Sequence, residues 1–308
     1  MSEIQSELVA VLIAVPEDGP VVLTLDQGRN LPSGPLETAH RSLQRGMRLW
    51  VEQQTQCHLG HIEQLYTFAE SRGTDPAVEV AAPEDAHGGS TLGAPRLIRI
   101  SYMGLTRLED AQEGWRGLYE YFPWEDRQEA GTAQRDAEIE RALAAWAGRD
   151  AARSWRCAET FGLSGQPWND ELVLHRYELL WEANLLPESR HPGAWLAPGR
   201  SMPSDRRRIL ATALARLRAK IRYRPVVFEL MPETFTLWQL QRTVEAIAGR
   251  ALHKQNFRRL ILAQDLVEET GEAAMQAQGR PARLYRFRRE VIGTRQLMGS
   301  KLPIARSI

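Results

Sequence analysis

The spacing of apolar positions changes several times along the chain, and each change predicts an element. Residues 8–15 and 21–25 are short apolar runs rich in Val, Leu and Ile, separated by Pro16-Glu17-Asp18-Gly19. They predict two strands joined by a turn. Residues 31–36 read as a Gly/Pro loop. From Glu37 to about Thr55 the period becomes helical, with Leu43, Met47, Trp50 and Gln54 on one face and His40, Gln44, Arg48 and Glu52 on another. Residues 61–68 and 97–105 read as strands, and the Gly-, Ala-, Pro- and Asp-rich residues 72–94 between them as a loop. Residues 136–146 and 170–181 read as helices.

Residues 204–221 form a regular helical pattern. Ser204 or Asp205 is placed to cap it, and Ile209, Leu210, Ala213, Leu214, Leu217 and Ile221 make its apolar face. Arg206, Arg207, Arg208, Arg216, Arg218 and Lys220 are expected largely off that face. Pro225 then opens a strand-like run, 226–230. Next, Thr236 caps a helix to Ala248 whose buried face is Leu237, Leu240, Val244 and Ile247, and Gly249 stops it. After a turn at 249–252, residues 253–263 form a second helix with Phe257, Leu260 and Ile261 apolar.

The other positions of that second helix change the picture, because they include Lys254, Gln255, Asn256, Arg258 and Arg259. Arg pairs with guanine, Asn or Gln with adenine, and Lys with phosphate. Two helices and a tight turn match a helix-turn-helix, whose second helix enters the major groove. Strand-like residues 266–270 and 282–287 follow, joined by a polar, glycine-bounded segment. They predict a β-wing with Arg280 near its tip, and Arg283, Arg286, Arg288 and Arg289 add capacity for phosphate contact.

Charge is divided in the same way. Residues 205–308 hold 21 Lys+Arg against 9 Asp+Glu, and the rest of the 308-residue chain holds 18 against 30. A neutral total with one basic end predicts a nucleic-acid-binding module joined to something else. Two cysteines, Cys57 and Cys157, make no disulfide framework, and the acidic N-terminus does not resemble a signal peptide. No apolar run reaches the ~18 residues that span a bilayer. A cytoplasmic protein without membrane association is expected. Residues 109–200 carry seven of the nine tryptophans. These rings are expected to form the core of a helical insertion, with Trp124 a candidate wall for a flat ligand.

Residues 223–287, with FELMPETFTLWQLQRTVEAIAGRALHKQNFRRLILAQDLVEETG followed by GRPARLYRF, resemble the C-terminal domain of the Nudix-related transcriptional regulators of NAD metabolism (NrtR-like). LPSGPLETAHRSLQRGMRLWVEQQT, HIEQLYTFAES and IRISYMGL resemble their Nudix-like N-terminal domain, and GLYEYFPWED at 117–126 is similar to the NadQ-type branch. The resemblance implies an α/β Nudix-like sandwich at 1–224, with a helical insertion at about 109–200, and a winged helix-turn-helix at 225–308. It implies a dimeric repressor of NAD-synthesis genes on a palindromic double-stranded operator. It also implies that no cofactor is required and that a nucleotide-type effector (NAD, ADP-ribose, ATP or an NAD-pathway nucleotide) adjusts affinity. Effector sensing is expected before residue 204.

An active Nudix box, G-x5-E-x7-R-E-U-x-E-E-x-G-U, holds divalent cations on helix carboxylates that activate water. With Gly34 as its first glycine, His40 stands at the first Glu and Arg48 at the Arg. Leu49 replaces the next Glu, Glu52 matches, and Gln53 and Thr55 replace the last Glu and Gly. One carboxylate is a poor cage for Mg²⁺. The expectation is therefore no enzyme and no metal, with Arg48 and Glu52 as candidate ligand contacts. Cys57, His58 and His61 are too weakly patterned for a metal site. An active pyrophosphohydrolase with a nucleic-acid-binding tail, and an adaptor using the winged helix for protein contacts, are the rival readings.

Overall fold

The apolar run at residues 8–14 becomes a strand with no solvated face: every residue from Leu8 to Ala14 is at most 1% exposed. It belongs to a computed structural model that describes residues 4–37, 42–57, 62–71, 96–108, 113–128, 130–223, 225–274 and 281–288. The described elements are β1 (Ile4–Ala14), β2 (Val21–Leu23), β3 (Ser33–Pro35), α1 (Leu43–Thr55), β4 (Ile62–Ser71), β5 (Arg96–Leu105), β6 (Trp115–Gly117), α2 (Thr132–Ala147), α3 (Ala151–Phe161), α4 (Val173–Glu182), α5 (Arg206–Tyr223), β7 (Thr234–Phe235), α6 (Leu237–Ala248), α7 (Lys254–Ala263), β8 (Val267–Ala274) and β9 (Ala282–Phe287). They divide into two compact units, Met1–Leu12 with Leu31–Leu105, and Ile13–Asn30 with Thr106–Ile308.

In the first unit β4 pairs antiparallel with β5, β5 neighbours β1, and β3 pairs with β1 so that Leu8 faces Gly34. Helix α1 begins at Leu43, later than Glu37, because Ser42 is its N-cap: the backbone there is extended and the hydroxyl accepts from the Arg45 amide at 3.2 Å. Met47 and Val51 are its buried face. The Trp50 ring fixes it to β3. A Cβ at Gly34 would lie 2.3 Å from that ring, so only glycine fits, and Trp50 Nε1 donates to the Pro35 carbonyl at 2.9 Å. The Gln54 amide donates to the Ser33 carbonyl at 2.7 Å and accepts from its N–H at 3.1 Å.

In the second unit β2 pairs with the end of β1 and with β6. Helices α2, α3 and α4 form the expected helical insertion. The pattern did not reveal α3, which Asp150 caps by accepting from the amides of Ala152 and Arg153 at 2.9 and 3.1 Å. Three expectations need correction. Trp124 is fully buried, edge-on to Phe122 at 6.0 Å and under the Arg207 guanidinium at 5.2 Å. Its ring is core and offers no wall to a ligand. Residues 226–230 form a 3-10 turn, not a strand. Pro225 accepts from the Phe228 amide, and Val227, Phe228 and Leu230 are buried by the turn. A short apolar run does not distinguish the two by period alone. The wing strand expected at 266–270 instead spans Val267–Ala274.

The largest correction concerns α5. Its apolar residues are buried as expected, but Arg207 and Arg218 are buried with them, at 0% and 2% exposure. Buried charges must be paired and hydrogen-bonded. Arg207 donates to the Tyr121 carbonyl at 3.0 Å and to Glu188 at 2.9 Å. Arg218 donates to the Ile247 carbonyl at 2.9 Å, to the Asp170 carbonyl at 3.1 Å and to the Glu125 carboxylate. The helix thus has an apolar face and an ion-paired face, both covered. The winged helix and the insertion share the second unit.

Candidate nucleic-acid interface

The interface is built on α6. Thr236 accepts from the Gln239 amide at 3.2 Å while the Gln239 side chain accepts from the Thr236 N–H at 2.8 Å, a capping box. Leu240, Val244 and Ile247 are fully buried, and Gly249 ends the helix in the left-handed region at φ 70°. The turn to α7 is held from within by two buried polar residues. The Glu245 carboxylate accepts from the Leu252 amide at 2.7 Å and from the Gln241 side chain at 2.9 Å, and Gln241 also donates to the Leu252 carbonyl at 3.0 Å. Sequence reasoning missed this pair. Their i, i+4 spacing beside the Leu240–Val244 stripe was the available signal.

Helix α7 starts at Lys254, with His253 as N-cap accepting from the Asn256 amide at 3.4 Å. Phe257 and Ile261 anchor it in the core at 1% and 0% exposure. Lys254, Gln255, Asn256, Arg258 and Arg259 are all exposed. Among the described residues Lys254, Arg258 and Arg259 have no carboxylate partner. Between α7, the start of α6 and β9 runs a groove of about 840 Å³, with Trp238, Lys254, Arg258, Leu262, Arg283 and Tyr285 on its walls. Trp238 and Leu262 are each 49% exposed.

The wing is a three-stranded sheet, β7-β9-β8. Its arginines are less available than those of α7. Arg283 pairs with Glu269 at 3.0 Å, Arg286 with Glu268, and Arg288 with Asp265 at 2.9 Å. These pairs lie largely in solvent and hold their partners weakly. Arg280 and Arg289 lie outside the described residues.

In the first unit Arg48 is half-buried and Glu52 exposed on α1, and Leu49, at the position of a lost carboxylate, is 40% exposed. His40, His58 and His61 lie outside the described residues, and Cys57 is buried and in no disulfide. Among the described residues no three His, Cys, Asp or Glu side chains gather as a metal cage, and no helix is long and apolar enough to cross a membrane.

The unit holding the winged helix is tied together by Glu125. Its carboxylate takes a two-pronged contact from Arg176 at 2.6 and 3.0 Å and a further bond from Arg218. Burial favours the neutral acid, but the two guanidiniums outweigh it and hold Glu125 below the usual carboxylate range. Arg176 also stacks 3.8 Å over the Trp168 ring, and Arg250 reaches Asp170 at 2.8 Å.

Residues 227–287 match the family model described as the NrtR DNA-binding winged helix domain. Over 83 residues the chain is 45% identical to the ADPR responsive transcriptional repressor NtrR of Acinetobacter baylyi, a match covering 27% of this chain and 33% of that protein. Shewanella oneidensis NrtR, solved in complex with a 27mer DNA, superposes with a TM-score of 0.51 at 18% identity, covering 92% of this chain and 93% of its own. The chain therefore shares the fold of Shewanella oneidensis NrtR, and its residues 227–287 match the NrtR DNA-binding winged helix domain.

Proposed function

We propose that this protein is a transcriptional repressor of NAD-biosynthesis genes. It binds a palindromic operator as a homodimer, and ADP-ribose or a related nucleotide adjusts its affinity. The observation that carries this reading is α7. Five side chains able to read bases and phosphates stand exposed on a helix anchored by Phe257 and Ile261. The Acinetobacter relative's description as ADPR responsive supports ADP-ribose as the first effector to test, ahead of NAD and ATP. Arg48 is the candidate phosphate contact in the Nudix-like region. Hydrolysis is proposed to be absent, because Leu49 and Gln53 carry no charge for a divalent cation.

Fluorescence anisotropy on labelled duplexes from upstream of NAD-biosynthesis genes tests the reading. Wild-type protein should prefer one duplex over scrambled DNA, and ADP-ribose should shift the curve, since an effector acts only through differential affinity for two conformations. Equal binding to every duplex, or turnover of ADP-ribose abolished by Glu52→Gln, would defeat it.

A further inference from the structure

The Trp-rich insertion has no part in the reading above, yet it reaches the end of α6 directly. The last carbonyls of a helix have no partner within it and must find donors elsewhere. In α6 the Glu245 carbonyl accepts from the Gly249 amide at 2.9 Å, and further donors come from outside the winged helix. Gln128 Nε2 donates to the Glu245 carbonyl at 3.0 Å. The Tyr119 hydroxyl lies 2.6 Å from the Ala246 carbonyl and 3.1 Å from that of Ile247. Arg218 Nε donates to the Ile247 carbonyl at 2.9 Å, and the Arg127 amide donates to the Gly249 carbonyl at 2.7 Å. The chain packs so closely here that a Cβ on Gly249 would lie 2.2 Å from the Glu125 carbonyl oxygen. Arg218 then runs from α6 back to the Glu125 carboxylate and the Asp170 carbonyl, joining the contact to the core of the insertion.

We infer that the insertion positions the DNA-reading helix pair, with Tyr119, Gln128 and the Glu125–Arg218 pair as positioning residues that hold the α6–α7 turn at a fixed attitude. This inference rests on the proposed DNA reading. The grip falls at Gly249, five residues before α7 begins, so it fixes the direction in which Lys254, Arg258 and Arg259 point. None of the gripping residues lies on α7, so their effect on DNA is through geometry and not through contact.

The test uses the full-length protein. Tyr119→Phe removes one hydroxyl and keeps the ring, and Gln128→Ala removes an exposed amide. Spin labels at Ala145→Cys on α2 and Ala263→Cys on α7, both exposed positions, report the distance between insertion and winged helix by pulsed electron resonance. Operator affinity is measured on unlabelled protein well below the melting temperature. The expected result is a broadened distance distribution in both variants and an affinity loss of roughly 3- to 10-fold, the equivalent of one or two lost hydrogen bonds. A merely structural role would lower the melting temperature while leaving the distribution narrow and the affinity of the folded protein unchanged. That result overturns the inference, as does a broadened distribution with unchanged affinity. If Tyr119→Phe does not fold, Gln128→Ala decides alone by the same two readouts. Arg258→Ala separates the two failures. If it weakens operator binding and the clamp variants do not, the DNA reading stands and the inference falls. If Arg258→Ala has no effect, the DNA reading itself fails and takes the inference with it.

Discussion

Helices α5 and α7 lie in one compact unit, both rich in arginine, and they use it in opposite ways. On α5, Arg207 and Arg218 are buried against Glu188 and Glu125, while Arg208 and Arg222 reach Glu178 and Glu171 at 2.6 Å each. On α7, Lys254, Arg258 and Arg259 are exposed and meet no carboxylate among the described residues. Much of the excess positive charge after residue 204 is therefore spent inside the fold, against the excess negative charge of the residues before it. A basic segment shows where cations are, and the burial of each side chain decides whether they can meet DNA.

The largest effect should come from breaking α5. Arg218→Ala leaves Glu125 buried with only Arg176, and loss of one partner of a buried pair costs about 3–5 kcal/mol. Urea unfolding should show that loss, and operator affinity of the folded variant should fall as well, because Arg218 also donates to the Ile247 carbonyl at the end of α6. A loss below about 1 kcal/mol would mean the site relaxes or admits water, and the contrast between the helices would weaken.

On α7 the pattern should invert. Arg258→Ala, Arg259→Ala or Asn256→Ala should leave the melting temperature unchanged, because exposed substitutions stay within about 0.5 kcal/mol. Operator affinity should fall by about 1–3 kcal/mol for each residue that reads a base. Lys254→Ala should weaken binding to all sequences alike and lower the salt slope by about one. Anisotropy titrations at several salt concentrations separate these outcomes. Four variants that bind like wild type would remove α7 as the reader.

Protonation sharpens the comparison, since α5 depends on an ionised Glu125 and α7 on no carboxylate. The folded state holds Glu125 below the ordinary range. Its contribution to stability is then fully present above the unfolded value of about 4 and is lost as pH falls through the lower folded value. Wild-type stability should drop in that acid window, and Glu125→Gln should flatten the drop while being less stable throughout. At the alkaline end burial raises the Tyr119 hydroxyl to about 12. The stability linked to it is present below about pH 10 and lost as pH rises toward the folded value, and Tyr119→Phe should abolish that loss. Unfolding curves for both variants with unaltered pH profiles would mean these groups titrate alike in the folded and unfolded chain.

The α6–α7 pair was legible because its signals are local: Thr236 at the cap, Gly249 at the stop, and apolar residues at helical spacing within 28 residues. The role of α5 was only partly legible. Arg218 stands four residues after Leu214 and three before Ile221, so its place on the apolar stripe was legible, although its charge predicted the opposite of burial. Its partner was not, because Glu125 lies 93 residues away and nothing in the local pattern joins them. The buried Trp124 failed as a ligand wall for the same reason: composition placed an aromatic cluster, and long-range packing decided which ring is core.

The smallest expected effect lies between these extremes, at the wing. Arg283 is 70% exposed and paired with Glu269, itself 42% exposed. Such a pair is worth about 0–1 kcal/mol, so neither Arg283→Ala nor Glu269→Gln should change stability measurably. The pair matters only when phosphate competes for the guanidinium. If Arg283 keeps its carboxylate in the complex, the pair is electrically neutral and Arg283→Ala should lower the salt slope by clearly less than Lys254→Ala. Removing the carboxylate with Glu269→Gln should then tighten binding to all duplexes at low salt, because it leaves an unpaired cation beside the groove of Trp238 and Lys254. The opposite outcome is equally readable. If Arg283→Ala costs as much as Arg258→Ala and Glu269→Gln changes nothing, Arg283 abandons its partner on binding and the wing acts as a second reading element. Salt titrations of the two single variants and the double variant decide between them, since a double-mutant cycle isolates the pair from the contribution of each residue alone.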